Sequence, residues 1–207
     1  PKNQGDAAMT LTMTTATDSF LVDDVIISGK AQNNVYKVSD EEYEKMLEDS
    51  VYSTGNNARI KQVIQNARDG KDVTLAYIGG SITEGALAKP NSMCYAEVSA
   101  KTFGVKYGKN NGENVHFINA GMSGTPSDIG VVRYNRDVID RLPEGSDHPD
   151  VLFIEFAVND YGTATAGKGY EGRIRQALKS GSAVVLVFSV FQKASGGVVC
   201  ENDYRPL

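Results

Sequence analysis

A serine that directly follows two glycines at the end of an apolar run has the clearest chemistry in this sequence. Residues 73–78 have the composition of a buried strand, and Gly79, Gly80 and Ser81 come next. A serine in this position lies where a helix can begin and where backbone N–H groups are free to stabilise a developing negative charge. The pattern indicates a nucleophilic serine at the carboxyl end of a strand.

Two other predicted strand ends carry residues that suit the same chemistry. Gly121 follows the apolar stretch 114–120, and Asn159 follows the stretch 150–158. The carboxyl ends of parallel strands meet at one edge of a sheet, where the active sites of α/β proteins gather. The N–H groups of Ser81 and Gly121 and the side-chain amide of Asn159 could therefore donate to one oxyanion, and such a donor typically contributes ~3–4 kcal/mol.

Each of these residues has a plainer interpretation when it is taken alone. Two glycines and a serine after a strand usually form a turn with a helix cap, and Gly121 or Asn159 alone simply ends a strand. A phosphate group could also bind the helix N-terminus at Ser81, although the glycine spacing fits neither a dinucleotide motif nor a P-loop. The coincidence of three complementary strand ends favours acyl transfer.

The elements that must position these residues alternate between strands and helices. The predicted strands are nearly continuous apolar runs, which indicates a parallel sheet covered on both faces and hence a three-layer α/β/α sandwich. The strands are predicted over residues 73–78, 114–120, 150–158 and 182–190. Helices are predicted over residues 58–68, 91–103 and 170–180, from Ser127 or Asp128 as far as Leu142, and after Ser39, with Glu42 completing a capping box.

Length and composition suit one globular domain with a modest appendage. The chain has 207 residues, of which 41% are hydrophobic and 23% charged. We assign residues 1–50 to a leader or linker and residues 51–207 to the domain. The Thr-rich stretch 5–17 is typical of the linker after a removed signal peptide, and it predicts a secreted or cell-surface protein.

Charge and cysteine usage exclude several classes of partner. A formal net charge of −5 without a basic stripe argues against nucleic acid as a partner. The sequence contains no run of 18 apolar residues, so no membrane-spanning helix is predicted. Cys94 and Cys200 lack the spacing of metal ligands.

Three blocks of the sequence resemble those that define the SGNH hydrolases, the GDSL-type esterases. Residues 79–83 (Gly-Gly-Ser-Ile-Thr) match the first block, residues 119–121 (Asn-Ala-Gly) the second, and residues 157–160 (Ala-Val-Asn-Asp) the third. The resemblance extends over residues 52–195. Two positions depart from the family pattern: Gly80 replaces the Asp of the family name, and Ala157 replaces a frequent Gly.

The resemblance implies a serine esterase that needs no metal or cofactor. It assigns Ser81 as the nucleophile, with Ser81, Gly121 and Asn159 forming the oxyanion hole. The subgroup with the first block Gly-Gly-Ser-Ile-Thr-Glu-Gly is similar to carbohydrate O-acyl esterases. The predicted substrate is therefore an acylated carbohydrate, and the predicted reaction removes its O-acetyl groups through an acyl-enzyme.

The fourth block of the family, Asp-x-x-His, supplies the general base and has no match here. At ~3.3 Å per residue, His148 is expected roughly 25 Å from Ser81, and His116 about 16 Å from Gly121. A general base must approach to ~3 Å. Both histidines therefore lie at the wrong end of the sheet.

Two explanations for the missing base remain. In the first, a C-terminal segment outside this chain completes the domain with a last strand and helix and supplies the Asp and His. In the second, the protein is a non-catalytic carbohydrate-binding or scaffold module that keeps the cleft. A carboxylate such as Asp160 or Glu84 is a weak base toward a serine hydroxyl.

Overall fold

The computed structural model describes residues 38–161 and 167–189 and the backbone of residues 191–192 and 198–199. The chain divides into two units, residues 1–55 and 56–207. The predicted Thr-rich linker lies outside the described residues. The predicted division into a leader of residues 1–50 and a domain of residues 51–207 stays a prediction.

Helix α1 (Asp40–Ser50) belongs to the first unit and begins at the predicted cap. The Ser39 hydroxyl accepts a hydrogen bond from the Glu42 N–H, and the Glu42 carboxylate accepts one from the Ser39 N–H. These reciprocal bonds satisfy two backbone donors that the first helical turn leaves open, which confirms the predicted capping box.

The second unit is built around a sheet of four parallel strands in the order β2-β1-β3-β4. Its strands are β1 (Val73–Gly79), β2 (Val115–Gly121), β3 (Val151–Glu155) and β4 (Ala183–Leu186). Strand β1 is central and buried at every position, as expected for a strand that has a neighbour on each side and helices on both faces. A short antiparallel pair, β5 (Phe191–Gln192) and β6 (Val198–Val199), follows β4.

Six helices of this unit fall within the described residues. They are α2 (Ala58–Arg68), α3 (Ser81–Glu84), α4 (Tyr95–Tyr107), α5 (Ser127–Asp137), α6 (Ala157–Asp160) and α7 (Lys168–Ser180). Short 3₁₀ turns precede α4 and follow α5. In the described part of the chain, no helix has both the length and the apolar character needed to cross a bilayer.

Successive side chains of β1 point into two separate cores, one on each face of the sheet. Leu75 and Tyr77 belong to the core that includes residues of α2 and α4, and the Tyr77 ring stacks on Phe153 of β3 with centroids 4.2 Å apart. Ala76 and Ile78 belong to the core that includes residues of α5 and α7. The two cores confirm the predicted three-layer α/β/α sandwich.

The predicted strand over residues 150–158 is wrong beyond Glu155. The Phe156 N–H donates to the Tyr170 hydroxyl (2.5 Å) and not to a neighbouring strand, so the ladder stops. The Asp160 N–H then donates to the Phe156 carbonyl (2.9 Å), which closes the single turn α6. The apolar run is therefore a strand followed by a helical turn.

Other predicted boundaries also differ, including the end of α5, which lies at Asp137 and not at Leu142. Helix α4 begins at Tyr95 because residues 91–93 form a separate 3₁₀ turn. Neither Ser127 nor Asp128 caps α5: the Asp160 carboxylate accepts the Ser127 N–H (2.7 Å) from another part of the chain. Strand β4 ends at Leu186, earlier than predicted.

Candidate active site

Strand register brings the three predicted site segments to one edge of the sheet. Gly79, the last residue of β1, pairs with Gly121 on one side and with Glu155 on the other. Ser81 follows this level by two residues, and Asn159 lies in the helical turn that follows β3. The three segments therefore meet as the sequence predicted, while the chemical roles of their residues stay predictions.

Ser81 is the first residue of α3 and is half-buried. The Gly80 N–H donates to the Glu155 carbonyl (3.2 Å), and the Glu84 N–H donates to the Gly80 carbonyl (3.0 Å), which closes the helical turn. The Ser81 N–H lies in the first turn, where a helix offers it no carbonyl. Within the described part of the chain, no hydrogen bond uses the Ser81 N–H or hydroxyl.

Asn159 lies against Gly80, the residue before the serine. A methyl group at position 80 would overlap the Asn159 side-chain oxygen. Gly80, which stands where the SGNH pattern has an Asp, therefore leaves room for the Asn159 amide next to the residue that precedes Ser81.

Gly121 is packed against the backbone of α3. A methyl group at this position would overlap the backbone of Glu84. The Gly121 N–H donates to the Asn119 side-chain oxygen (2.8 Å), and the Asn119 amide donates to the Thr83 carbonyl (2.9 Å). Asn119 thus joins the end of β2 to α3. The Gly121 N–H could donate to an oxyanion only if it shared or gave up its hydrogen bond to the Asn119 oxygen.

A turn over residues 122–125 follows β2 and supplies another backbone donor. The Thr125 N–H donates to the Met122 carbonyl (3.3 Å), and Gly124 has a φ of +73°, as in the third residue of a type II turn. The Gly124 N–H has no hydrogen-bond partner among the described residues. A Ser-Gly pair after a strand could have indicated this turn, but sequence reasoning assigned the donor to Gly121.

A buried polar network packs beneath the turn that carries Ser81. Thr83 and Glu155 have no solvent exposure, and the Thr83 hydroxyl contacts both the Tyr95 hydroxyl (3.0 Å) and the Glu155 carboxyl (3.1 Å). Burial raises the pKa of Glu155 and that of Tyr95, because removal from water disfavours the charged form of each group. This network was not predicted, since Glu155 stands within an apolar strand.

A buried arginine on α5 holds the ends of the first two strands. Arg133 is 5% exposed and donates to the carbonyls of Ala120 (2.6 Å) and Gly79 (2.9 Å). It also pairs with Asp137 (2.8 Å). Hydrogen bonds from Arg136, and to a smaller extent from Arg133, hold the pKa of Asp137 down at about 2. The sequence analysis did not identify Arg133 as a residue of this site.

Comparison with known proteins gives a match among solved structures. No family model matches the chain, and no curated protein matches it. A two-domain esterase (CEX) active on acetylated mannans, co-crystallised with mannopentaose, is 34% identical over 70% of this chain, with a TM-score of 0.62. A second structure of that esterase gives 33% identity over 67% of the chain and a TM-score of 0.59.

This similarity agrees with the fold and with the meeting of the three sequence blocks at the carboxyl ends of neighbouring strands. The chain has the fold of the SGNH hydrolases. It spans 38% of the length of the esterase in the first comparison and 36% in the second. The match therefore covers only a part of that esterase.

Both histidines of this SGNH-fold chain lie away from Ser81. His116 is paired in register with Thr74, five residues before the Gly79–Gly121 level, and contacts Asp72 (3.0 Å). His148 precedes β3, contacts Asp147, and lies next to Gly181 at the end of α7. Neither can act as a base for Ser81 from these positions.

Carboxylates near the SGNH site have other partners. Asp160 accepts the Ser127 N–H, and Glu84 accepts hydrogen bonds from Ser123. Among the described residues, no group of three or more His, Cys, Asp or Glu side chains could hold a metal ion. The described site therefore consists of a serine, an amide and backbone donors.

If Asn159 stabilises an oxyanion as the sequence predicts, replacing Gly80 with alanine should lower kcat for ester hydrolysis by about 10²-fold, because the new methyl group displaces the Asn159 side chain from its place beside Gly80. A side-chain amide can rotate away, so the melting temperature should change little. Kinetics on an acetyl ester and thermal melting measure the two effects.

Gly172→Ala in α7 is the matched control, because a methyl group there meets no atom within 4 Å. It should leave kcat unchanged. If Gly80→Ala keeps full activity, Asn159 is not held in a catalytic position by this contact.

Proposed function

We propose that the protein is a serine esterase that removes O-acyl groups, and in particular O-acetyl groups, from carbohydrate. The observation that carries this proposal is the position of Ser81 at the start of α3, with Asn159 against the preceding residue at the carboxyl edge of the sheet. The 34% identity to an esterase active on acetylated mannans supports the substrate class.

In the proposed reaction the Ser81 oxygen attacks the ester carbonyl carbon while the hydroxyl proton passes to a general base. The carbonyl oxygen becomes an oxyanion, which the Ser81 N–H and the Asn159 amide stabilise. Collapse breaks the bond to the sugar oxygen, which leaves as an alcohol with the proton from the base. Water then hydrolyses the acyl-Ser81 ester and releases the carboxylic acid.

The third oxyanion donor is a backbone N–H at the end of β2. Gly121 is the predicted donor, and it would have to release or share the Asn119 oxygen. The Gly124 N–H stands in the adjoining turn without a partner among the described residues, so we propose it as the alternative donor.

We propose that the base is a histidine supplied from outside these 207 residues, with an orienting aspartate. This follows from the chain having only two histidines, both of them at the other end of the sheet. A secreted or cell-surface location remains a proposal that rests on the Thr-rich stretch 5–17.

A fluorophosphonate tests the proposal, since it phosphonylates only an activated serine. After treatment of the full-length protein, we expect one adduct in the intact mass, mapped by peptide sequencing to Ser81. The absence of an adduct on folded protein would contradict an esterase.

The position of both histidines favours a second candidate, a non-catalytic carbohydrate-binding module that uses the same cleft. Binding of acetylated mannan by protein that forms no adduct would establish this alternative. Binding together with an adduct at Ser81 would establish the esterase.

A further inference from the structure

A carboxylate at the end of α3 connects the nucleophile turn to the turn that follows β2. Glu84 is the last residue of the four-residue helix that Ser81 begins. Its Oε2 atom accepts a hydrogen bond from the Ser123 N–H (2.9 Å) and another from the Ser123 hydroxyl. Hydrogen bonds to an ionised acceptor are about twice as strong as those between neutral groups.

Few other contacts hold this turn from outside. Residues 122–124 are exposed, and a methyl group at Gly124 would meet no atom within 4 Å. The Met122 N–H donates to the Gly79 carbonyl (3.0 Å) and anchors the start of the turn to β1. The bonds between Glu84 and Ser123 therefore fix the part of the turn that lies farther from the sheet.

We infer that Glu84 is a positioning residue that sets the turn of residues 122–125 relative to Ser81. This inference rests on the proposed esterase function, in which the Gly124 N–H is a candidate oxyanion donor. Glu84 and Ser81 belong to the same short helix, α3. The bonds from Ser123 to the Glu84 carboxylate therefore fix the position of the Gly124 N–H, after β2, relative to Ser81, after β1. A misplacement of about 1 Å in such a site can cost 10²-fold in rate.

Two substitutions at this position separate positioning from base catalysis. Glu84→Gln keeps an oxygen that can accept both Ser123 bonds but cannot take a proton at neutral pH. Glu84→Ala removes the acceptor altogether. A positioning residue should tolerate glutamine and not alanine, whereas a general base should tolerate neither.

The experiment measures kcat and KM of the full-length protein on an aryl acetate, together with amide hydrogen exchange of residues 122–125. For Glu84→Ala we expect kcat to fall about 10- to 100-fold with KM within about twofold, and faster exchange in the turn. Glu84→Gln should stay within about fivefold of the wild-type kcat, because its oxygen preserves the two bonds.

A double-mutant cycle with Ser123→Ala completes the test. Ser123→Ala removes only the hydroxyl bond, whereas Glu84→Ala removes both bonds, so the double variant should lose no more kcat than Glu84→Ala alone. Glu113→Ala is the matched control: this exposed carboxylate accepts a bond from Asn110 in a turn at the opposite edge of the sheet. It should change neither kcat nor exchange in residues 122–125.

Three outcomes would overturn the inference. Full kcat in Glu84→Ala, or unchanged exchange in its turn, would show that the carboxylate positions nothing. A loss in Glu84→Gln as complete as that in Glu84→Ala would indicate a base. If the wild-type protein hydrolyses no ester, the proposed function fails, and the exchange measurement still decides whether Glu84 fixes the turn.

Discussion

Ser81→Ala should lower kcat for the hydrolysis of acetylated mannan by at least about 10⁴-fold, or about 5.5 kcal/mol in the activation barrier. In the proposed mechanism the Ser81 hydroxyl attacks the ester carbonyl, and an alanine side chain has no nucleophile to replace it. The alanine variant keeps the backbone N–H groups and the Asn159 amide, so any residual rate reports what the oxyanion donors achieve alone. Release of acetate by the full-length protein is the measurement.

The variant should remain folded, because in the described residues the Ser81 hydroxyl holds no other group in place. Ser180→Ala, at the exposed end of α7, is the matched control and should retain full activity. An unchanged rate of acetate release from Ser81→Ala would exclude Ser81 as the nucleophile.

Arg133→Met should destabilise the full-length protein by about 3–5 kcal/mol, a large part of a typical stability of 5–15 kcal/mol. The residue is 5% exposed, and its guanidinium donates to carbonyls near the ends of β1 and β2, at Gly79 and Ala120. Methionine fills a similar volume but leaves both carbonyls without these donors and Asp137 without a buried partner. Urea unfolding followed by far-UV circular dichroism measures the loss.

Arg136→Met is a close control, because Arg136 also bonds Asp137 but its side chain is 68% exposed. It should change the unfolding midpoint little, since exposed ion pairs contribute little to stability. Equal midpoints for the Arg133 and Arg136 variants would show that the two strand-end carbonyls do not depend on Arg133.

Much of the fold follows from local patterns in the sequence. Helix α2 matches its prediction, and β1 is one residue longer than predicted. Each was predictable because its pattern, a helical apolar stripe in α2 and an apolar run in β1, lies within a single segment of sequence. The meeting of Ser81, Gly121 and Asn159 at one edge follows from parallel strand order alone.

The parts that could not be predicted depend on contacts between distant residues. The end of β3 is set by Tyr170, whose hydroxyl takes the N–H that another strand would have used. Arg133 stands in a helix where a charged residue normally faces water, and only the packed structure shows which carbonyls it serves. Asn119 belongs to a recognised block, but its two bonds across β2 and α3 appear only in the fold.

The crowding around the glycines bears on how readily this protein could be evolved toward other substrates. Positions 79 and 121 accept no side chain without a clash against backbone atoms, so a mutant library would yield few folded variants there. Ile82 and Met122 flank the same edge and are more than one-third exposed. Variation at these two positions would change side chains beside the proposed site while the backbone at the three strand ends stays intact, so selection for a new acyl group or sugar should act on them first.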